Sequence, residues 1–495
     1  IRIKHISMKN TKIIKILRTF TNDELKSFRR FVDSPFFNKE GKYVLRFFDE
    51  LVKRHPEFDS EFITRDRLYK VLYPNKAYDD DTMRKLSSSL QKLAEEFLNY
   101  NHYKDNDPFR EILNLSMLRR RGLSDLFEKK SDELGKKYEL KNSCIDLEYF
   151  RTKYRIEIEK INYFAESDAF VKEQNNSMQS IQLHIVCDSL INLLDIAYNI
   201  IVGQNTMYAG KTDLVLNLMD LTDVESFLKM LKKEALEVHS VIELFYLRYL
   251  SMLNFDDASF RKFRLSALKN LHLFTRENKF TMLVALQNFC IRKFVSGERQ
   301  YVSELHDIHK LMIKEGMLIN ETTGFINQDS YRNVILTSVN IRKYDWMDRF
   351  INEYESKINP DQRESLTAWA KATSLYAREN YQGALAELHR VRNIHFLSKH
   401  DIRILQMKIY YELNDYIAGL SLADTYKKMV QNDKVLSEIH KRSNRNFAGF
   451  YSRILRNLSD GNIEELDFLK NEIEKTPTNS REWLLEKIRL ETGKA

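Results

Sequence analysis

The sequence predicts an all-α protein, and its composition gives the main reasons. Its 495 residues include only 13 glycines and 6 prolines, far below the average usage of about 7% and 5%. No proline occurs from Phe109 to Asn359, a stretch rich in Leu, Lys, Glu, Arg and Ile. Because proline interrupts helices and glycine weakens them, this stretch is predicted to consist of consecutive helices.

The first hundred residues predict a small helical domain, residues 1–106. Four of the six prolines fall in or just after it, which favours short helices joined by sharp turns. The predicted helices cover residues 12–20, 22–33, 40–54, 64–73 and 79–101. Thr21 is a predicted N-cap of the second helix, and the acidic run from Asp79 opens the last one. The domain boundary is expected near Asn106.

Residues 107–254 are predicted to form long amphipathic helices. Apolar residues such as Ile181 and Ile185 recur there at three- to five-residue steps, the period of a helix rather than of a strand. A later loop ends in Gly210-Lys211-Thr212, the closing triplet of a phosphate-binding loop. Such a loop requires a preceding strand and a glycine where this chain has Asn205. The triplet is therefore interpreted as an ordinary loop between helices, and no cofactor is expected.

From about residue 255, a repeat of helical hairpins is predicted. An aromatic or aliphatic residue follows a polar turn at six places, spaced 35 to 47 residues apart: Phe260, Tyr301, Tyr344, Tyr381, Tyr416 and Ile463. Periods of this length that contain two helices are typical of stacked hairpins, which bury their apolar faces against their neighbours. Residues 255–495 are therefore expected to form an α-solenoid.

The best-formed unit, AWAKATSLYARENYQGALAELHRV, covers residues 368–391 and resembles a tetratricopeptide repeat. It has the small residue Ala372 in its first helix, Tyr381 in the turn, and Ala384 followed by Leu388 in its second helix. The next unit, with Tyr416 in its turn, repeats the pattern. Small residues at these positions allow two helices to cross closely. The resemblance implies a concave surface that holds an extended or helical peptide.

In that family, ligand-facing side chains come mainly from the first helix of each hairpin, at fixed offsets before the turn residue. Carried onto this chain, the offsets give nine candidate partner-binding residues: Arg332, Leu336, Asn340, Trp369, Thr373, Tyr376, Lys408, Tyr411 and Glu412. The set mixes aromatic and charged side chains, as binding surfaces do. Trp369 is the expected anchor, and the alternative is that it packs with Tyr376 between neighbouring hairpins. The predicted function is a non-enzymatic scaffold for a peptide or protein partner.

A second function class depends on residues 63–98, which resemble the helix, proline turn and second helix of winged-helix regulators. The resemblance implies that Arg84, Lys85, Ser88 and Gln91 would enter the major groove of DNA. In that case the protein would be a transcriptional regulator, with the repeats as a sensor or dimerisation domain. The alternative is that these helices form a cap on the solenoid. The net charge of +8 is compatible with contacts to phosphates.

Signals for other chemistry are weak. His306 and His309 lie on one helical face, but without a third metal ligand they are expected to be solvent-exposed. No arrangement of nucleophile and base predicts an enzyme. Cys144, Cys187 and Cys290 are odd in number and far apart, as expected of buried thiols in a reducing cytoplasm. No apolar run approaches the ~20 residues of a membrane span, so no membrane partner is expected.

Overall fold

The chain is described as a computed structural model, which covers residues 7–58, 63–105, 107–139, 144–145, 147–165, 170–206, 214–234, 236–321, 323–392 and 398–493. Across these ranges the chain forms 24 α-helices, and its β-structure is limited to two isolated bridges. The all-α prediction is confirmed. The triplet Gly210-Lys211-Thr212 lies outside the described residues. Two compact units are present: residues 1–136 with 155–177, and residues 137–154 with 178–495.

The first unit is built around one long helix. Its helices are α1 (Lys12–Leu17), α2 (Asn22–Asp33), α3 (Lys42–Val52), α4 (Arg65–Leu72), α5 (Asp80–Asp105), α6 (Asp107–Arg120) and α7 (Ser124–Lys137). Helices α1 to α4 all pack against α5. Phenylalanines fill the space between them, and the Phe28 ring centroid lies 5.2 Å from that of Phe97. Thr21 and Glu24 form a capping box at the start of α2, which confirms the predicted N-cap.

The first unit extends beyond the predicted boundary near Asn106, a residue outside the described ranges. Helix α6 continues to pack against α5. Farther along, Arg119 forms an ion pair with Glu159 at 2.9 Å, in α8 (Leu147–Phe164). The Phe127 and Tyr163 rings stack with centroids 4.3 Å apart. These contacts join residues on both sides of the predicted boundary into one unit.

Helix α9 (Phe170–Thr206) is divided between the units, with residues 170–177 in the first and the rest in the second. The second unit also contains α10 (Leu214–Leu221), α11 (Val224–Glu234), α12 (Leu236–Asn254), α13 (Asp257–Asn270), α14 (Arg276–Val295), α15 (Tyr301–Lys314), α16 (Gln328–Asn340), α17 (Tyr344–Tyr354), α18 (Pro360–Ala377), α19 (Tyr381–Leu388), α20 (Ser398–Glu412), α21 (Tyr416–Asn432), α22 (Glu438–Asp460), α23 (Glu464–Lys475) and α24 (Arg481–Thr492). From α11 to α24, each helix packs against its neighbours in the chain. One apolar core runs from Ile145 to Ile409, across the predicted boundary at residue 254. A second core runs from Ile404 to Ile488.

The predicted turn residues mark the second helix of each pair. Tyr301, Tyr344, Tyr381 and Tyr416 are the first residues of α15, α17, α19 and α21. Each tyrosine is at least partly buried. The sequence pattern therefore located the start of each of these helices to the residue.

Three successive hairpins close with the same backbone turn. Arg342, Glu379 and Asn414 have left-handed φ angles of 57°, 63° and 58°. In each turn the following amide N–H bonds, at 2.9 Å, to the carbonyl oxygen five residues earlier, as in a Schellman motif. The tyrosine that begins the next helix comes two residues after the left-handed one. The periodicity seen in the sequence is thus also a periodicity of backbone conformation.

Helix α9 is more apolar than the sequence analysis expected. Its stretch Asn175–Gln204 is long and apolar enough, by length and composition, to cross a membrane. Among the described residues this is the one helix that passes that test. Ile191, Leu194 and Ala197 from this stretch are buried in the main apolar core. Core helices of soluble proteins pass the same test, so the helix does not by itself indicate a membrane.

Candidate functional site

The nine candidate partner-binding residues lie on α16, α18 and α20, which are the first helices of three successive hairpins. Helix α18 contacts both α16 and α20, so the three helices are neighbours in space. The candidates differ in accessibility. Asn340 is exposed, whereas Leu336 is half-buried and packs against the main core. The Asn340 side-chain amide donates to the Leu336 carbonyl at 2.8 Å.

Trp369 cannot contact a ligand in this structure, which corrects its assignment as an anchor. Its side chain is only 1% exposed and belongs to the main core. Thr373 is also buried, and its hydroxyl donates to the Trp369 carbonyl at 2.8 Å. The reason is the position of α18, which packs against α16, α17, α19 and α20. Residues 365–370 are consequently all buried, and the alternative interpretation of Trp369 as a packing residue agrees with the structure.

Arg332 links the first and third of these helices. Its guanidinium makes two hydrogen bonds to the Asp401 carboxylate near the start of α20, one of them 2.8 Å long. Both side chains are largely covered, with 25% and 18% of their surface exposed. A two-point arginine–carboxylate pair fixes orientation as well as distance. Arg332 therefore holds α16 and α20 in register, and its guanidinium is already bonded to Asp401.

Tyr376 and Glu412 form a hydrogen-bonded chain with the last helix, α24. The Trp483 indole N–H donates to the Tyr376 hydroxyl at 2.8 Å. That hydroxyl donates in turn to Glu412 Oε1 at 3.2 Å. The same carboxylate pairs with Lys487 Nζ at 2.7 Å, and both members of the pair are 12% exposed. Hydrogen bonds linked in this way strengthen one another in a partly buried setting.

Tyr411 and Lys408 face the same helix. The Tyr411 hydroxyl donates to Glu491 at 3.1 Å, and the Tyr411 ring lies edge-on to Trp483 at 5.2 Å. The Lys408 ammonium lies 5.6 Å from the centroid of the Trp483 ring, within the range of a cation–π contact. We call the side of α18 and α20 that bears Tyr376, Lys408, Tyr411 and Glu412 the first-helix surface.

Three residues of α24 that the sequence pattern did not predict contact this surface. Trp483, Lys487 and Glu491 follow one another at four-residue steps, so they share one face of a helix. The apolar residues of α24, Leu484 and Ile488, are offset by one position and lie in the second core. This pattern after Pro477, with polar and aromatic residues on one helix face and apolar residues on the next, is the sequence feature that could have predicted these contacts.

Burial shifts the ionisation of two groups on the first-helix surface. Burial lowers the pKa of the Lys408 ammonium to about 8, and the nearby Asp401 and Glu412 carboxylates only partly oppose this effect. Among the described residues, no carboxylate forms an ion pair with Lys408. Burial, and then the Glu412 charge, raises the pKa of the Tyr376 hydroxyl well above its usual value. Tyr376 therefore stays protonated and remains a hydrogen-bond donor at neutral pH.

The candidate DNA-binding residues lie on α5, after a turn that contains Pro74. Arg84, Lys85 and Ser88 are exposed, and Gln91 is half-buried. Arg84 pairs with Asp80 at 2.7 Å, and Lys85 pairs with Asp81 at 2.9 Å. The Gln91 amide donates to Glu95 at 2.8 Å. Both cations thus already face a carboxylate one helical turn earlier, although exposed pairs of this kind are weak.

The histidine pair is not solvent-exposed, which corrects that expectation. His309 is buried, and its Nε2 lies 3.1 Å from Gln287 Oε1. The His306 ring packs edge-on against Trp346 at 4.8 Å. Burial lowers the pKa of His309 to about 3. Within the described part of the chain, no group of three or more His, Cys, Asp or Glu could hold a metal ion.

The cysteines differ in accessibility. Cys187 and Cys290 are buried, as expected, whereas Cys144 is exposed. Burial raises the pKa of the Cys187 thiol to about 12, which keeps it uncharged and unreactive.

Comparison with known proteins does not assign the chain to a family. No protein-family model, no curated protein and no solved structure matches the chain. The arrangement itself offers acceptors for hydrogen bonds and a carboxylate for a cation, together with aromatic rings. These groups suit non-covalent binding of a helix or peptide.

Replacing Trp369 with Ala is expected to destabilise the second unit by ~3 to 5 kcal/mol, because it leaves a large cavity in a close-packed core. Thermal or denaturant unfolding measures the loss. Trp346→Ala is the matched control, and since Trp346 is only half-buried, its loss should be smaller. Equal and small losses for the two variants would mean that Trp369 does not pack in the core.

Lys408→Met is expected to change how stability depends on pH. The pKa of Lys408 is about 8 in the folded chain and about 10.4 when unfolded. Between these values the unfolded state binds more protons, so the Lys408 contribution becomes more favourable as pH rises, by up to ~3 kcal/mol. The difference in unfolding free energy between wild type and Lys408→Met, measured from pH 7.5 to 10.5, should show this rise. If the unfolding free energies of wild type and Lys408→Met change in parallel over this pH range, the prediction is wrong.

Proposed function

We propose that the protein is a non-enzymatic interaction scaffold that binds a helical or extended segment of a partner protein on its first-helix surface. The observation that carries the proposal is the contact between this surface and α24. A twelve-residue helix is bound there through an indole, an ammonium and a tyrosine hydroxyl. A surface that accepts a helix of its own chain has the shape and the chemistry to accept one from another protein.

We propose further that the hairpins form a solenoid like that of tetratricopeptide proteins. Three features support this arrangement. Four of the six repeat residues are the first residues of second helices, three turns share one backbone conformation, and α18 contacts the first helices of both adjacent hairpins. Stacking of this kind exposes the first helices along one continuous surface.

A photo-crosslinking amino acid at Asn340 is expected to capture the partner in the native host, because Asn340 is exposed at the end of α16. The same amino acid at Gln382, which is exposed on the second helix α19, should capture it much less. Mass spectrometry identifies the crosslinked protein and the linked position. A partner that crosslinks equally from both positions, or only from Gln382, would contradict binding along the first helices α16, α18 and α20.

DNA binding by α5 is a second candidate function. The observation that favours it is the arrangement of α4, the Pro74 turn and α5, with Arg84, Lys85 and Ser88 exposed on α5. The paired carboxylates Asp80 and Asp81 oppose it, because they would have to be displaced or would repel phosphates. This makes it the weaker candidate.

If α5 binds duplex DNA, affinity for a labelled duplex should fall steeply as salt rises from 50 to 200 mM. Replacing Arg84 and Lys85 together with Ala should then make the slope of the log binding constant against the log salt concentration less steep by about 2. Each lost phosphate contact accounts for about one unit of that slope. The matched control is Lys26→Ala with Arg30→Ala, two exposed cations on α2. Absence of salt-dependent binding by the full chain removes this candidate.

A further inference from the structure

Helix α24 contacts the rest of the second unit through two of its faces. Leu484, Leu485 and Ile488 are buried in the second core, where α24 packs against α22 and α23. The other face carries Trp483, Lys487 and Glu491, which contact the first-helix surface. The Trp483 ring also packs against Phe447 and Tyr451 of the second core. The first face is held by apolar burial, and the second by hydrogen bonds, one ion pair and ring contacts.

The second face reaches well beyond the neighbouring hairpin. Trp483 bonds to Tyr376 in α18, 107 residues earlier in the chain. At the first turn of α24, Glu482 pairs with Arg299, which lies between α14 and α15. A helix that only extended a stack would contact just the preceding pair. Helix α24 instead lies over side chains from several first helices and covers the first-helix surface.

The contacts made by α24 define what this surface recognises. Tyr376 accepts a hydrogen bond from an indole N–H, and Glu412 accepts one from an ammonium four residues farther along. Both contacts are polar and partly shielded from water, so they discriminate strongly between a matching and a reversed charge. A segment with an aromatic donor and a basic residue four positions later meets both requirements.

Building on the proposed function, we propose that α24 is a built-in occupant of the partner site, and that the partner is an amphipathic helix with an aromatic residue and a Lys or Arg four positions later. The partner helix replaces the Trp483 face of α24. Because α24 is tethered, it competes at a high effective concentration. The apparent affinity for the partner is therefore reduced by the fraction of molecules in which α24 has released the surface.

Charge reversal at Lys487 provides the test in the full chain. The probe is a fluorescein-labelled peptide with the sequence of Arg481–Thr492, followed by fluorescence anisotropy. Lys487→Glu places a carboxylate opposite Glu412, so α24 should release the surface and the peptide should bind at least tenfold more tightly than to wild type. Adding Glu412→Lys restores an ion pair with α24 and repels the lysine of the peptide. Binding should then return to the wild-type level.

Two further variants separate this effect from general damage. Arg489→Glu makes the same charge change at an exposed position of α24 and should leave peptide binding as in wild type. Trp483→Phe keeps an aromatic ring but removes the indole donor to Tyr376. Trp483→Phe should raise peptide affinity less than Lys487→Glu does. Because it is the milder change, it still tests the proposal if the Lys487→Glu chain does not fold.

The proposal is overturned if Lys487→Glu and Trp483→Phe both fold and bind the peptide no more tightly than wild type. It is also overturned if Arg489→Glu increases binding equally. Self-association of the Lys487→Glu chain, in place of peptide binding, would assign the surface to a second copy. A partner that crosslinks from Asn340 and is unaffected by these variants would leave the scaffold function intact and remove only the role of α24.

Discussion

A helix as short as α19, with eight residues, is not stable alone in water, so it persists only while the next helix covers its apolar face. In the second unit this constraint is met because, from α11 to α24, each helix packs against its neighbours in the chain. Helix α20 contributes to both apolar cores, with Ile402 and Ile409 in one and Met407 in the other. The arrangement of every later helix depends on this shared burial.

Local features were predictable from the sequence because local interactions determine them. The tyrosines that begin the second helices, such as Tyr344 and Tyr381, and the capping box at Thr21 depend on residues only a few positions apart. Which side of a helix is buried depends instead on helices from distant parts of the chain. Trp369 looked like an exposed anchor, but four helices surround α18. The sequence cannot reveal how many neighbours a helix will have until their packing is known.

Four of the nine candidate residues, Tyr376, Lys408, Tyr411 and Glu412, lie together because they occupy the last two turns of two neighbouring helices, α18 and α20. Their contacts with α24 could not be predicted, since nothing in a local pattern links Tyr376 to a tryptophan 107 residues away. The polar character of the set was informative, however. Side chains of this kind are seldom left partly buried without partners, and here the partners come from the same chain.

The long sequence separation between α18 and α24 has a consequence for biosynthesis. A ribosome completes the first-helix surface at Glu412, about 75 residues before it adds Lys487 of the helix that covers it. At 5 to 20 residues per second this takes roughly 4 to 15 seconds. During that interval the nascent chain presents Tyr376 and Glu412 without an intramolecular competitor. For the proposed partner helix, binding during translation would meet less competition from α24 than binding to the finished chain.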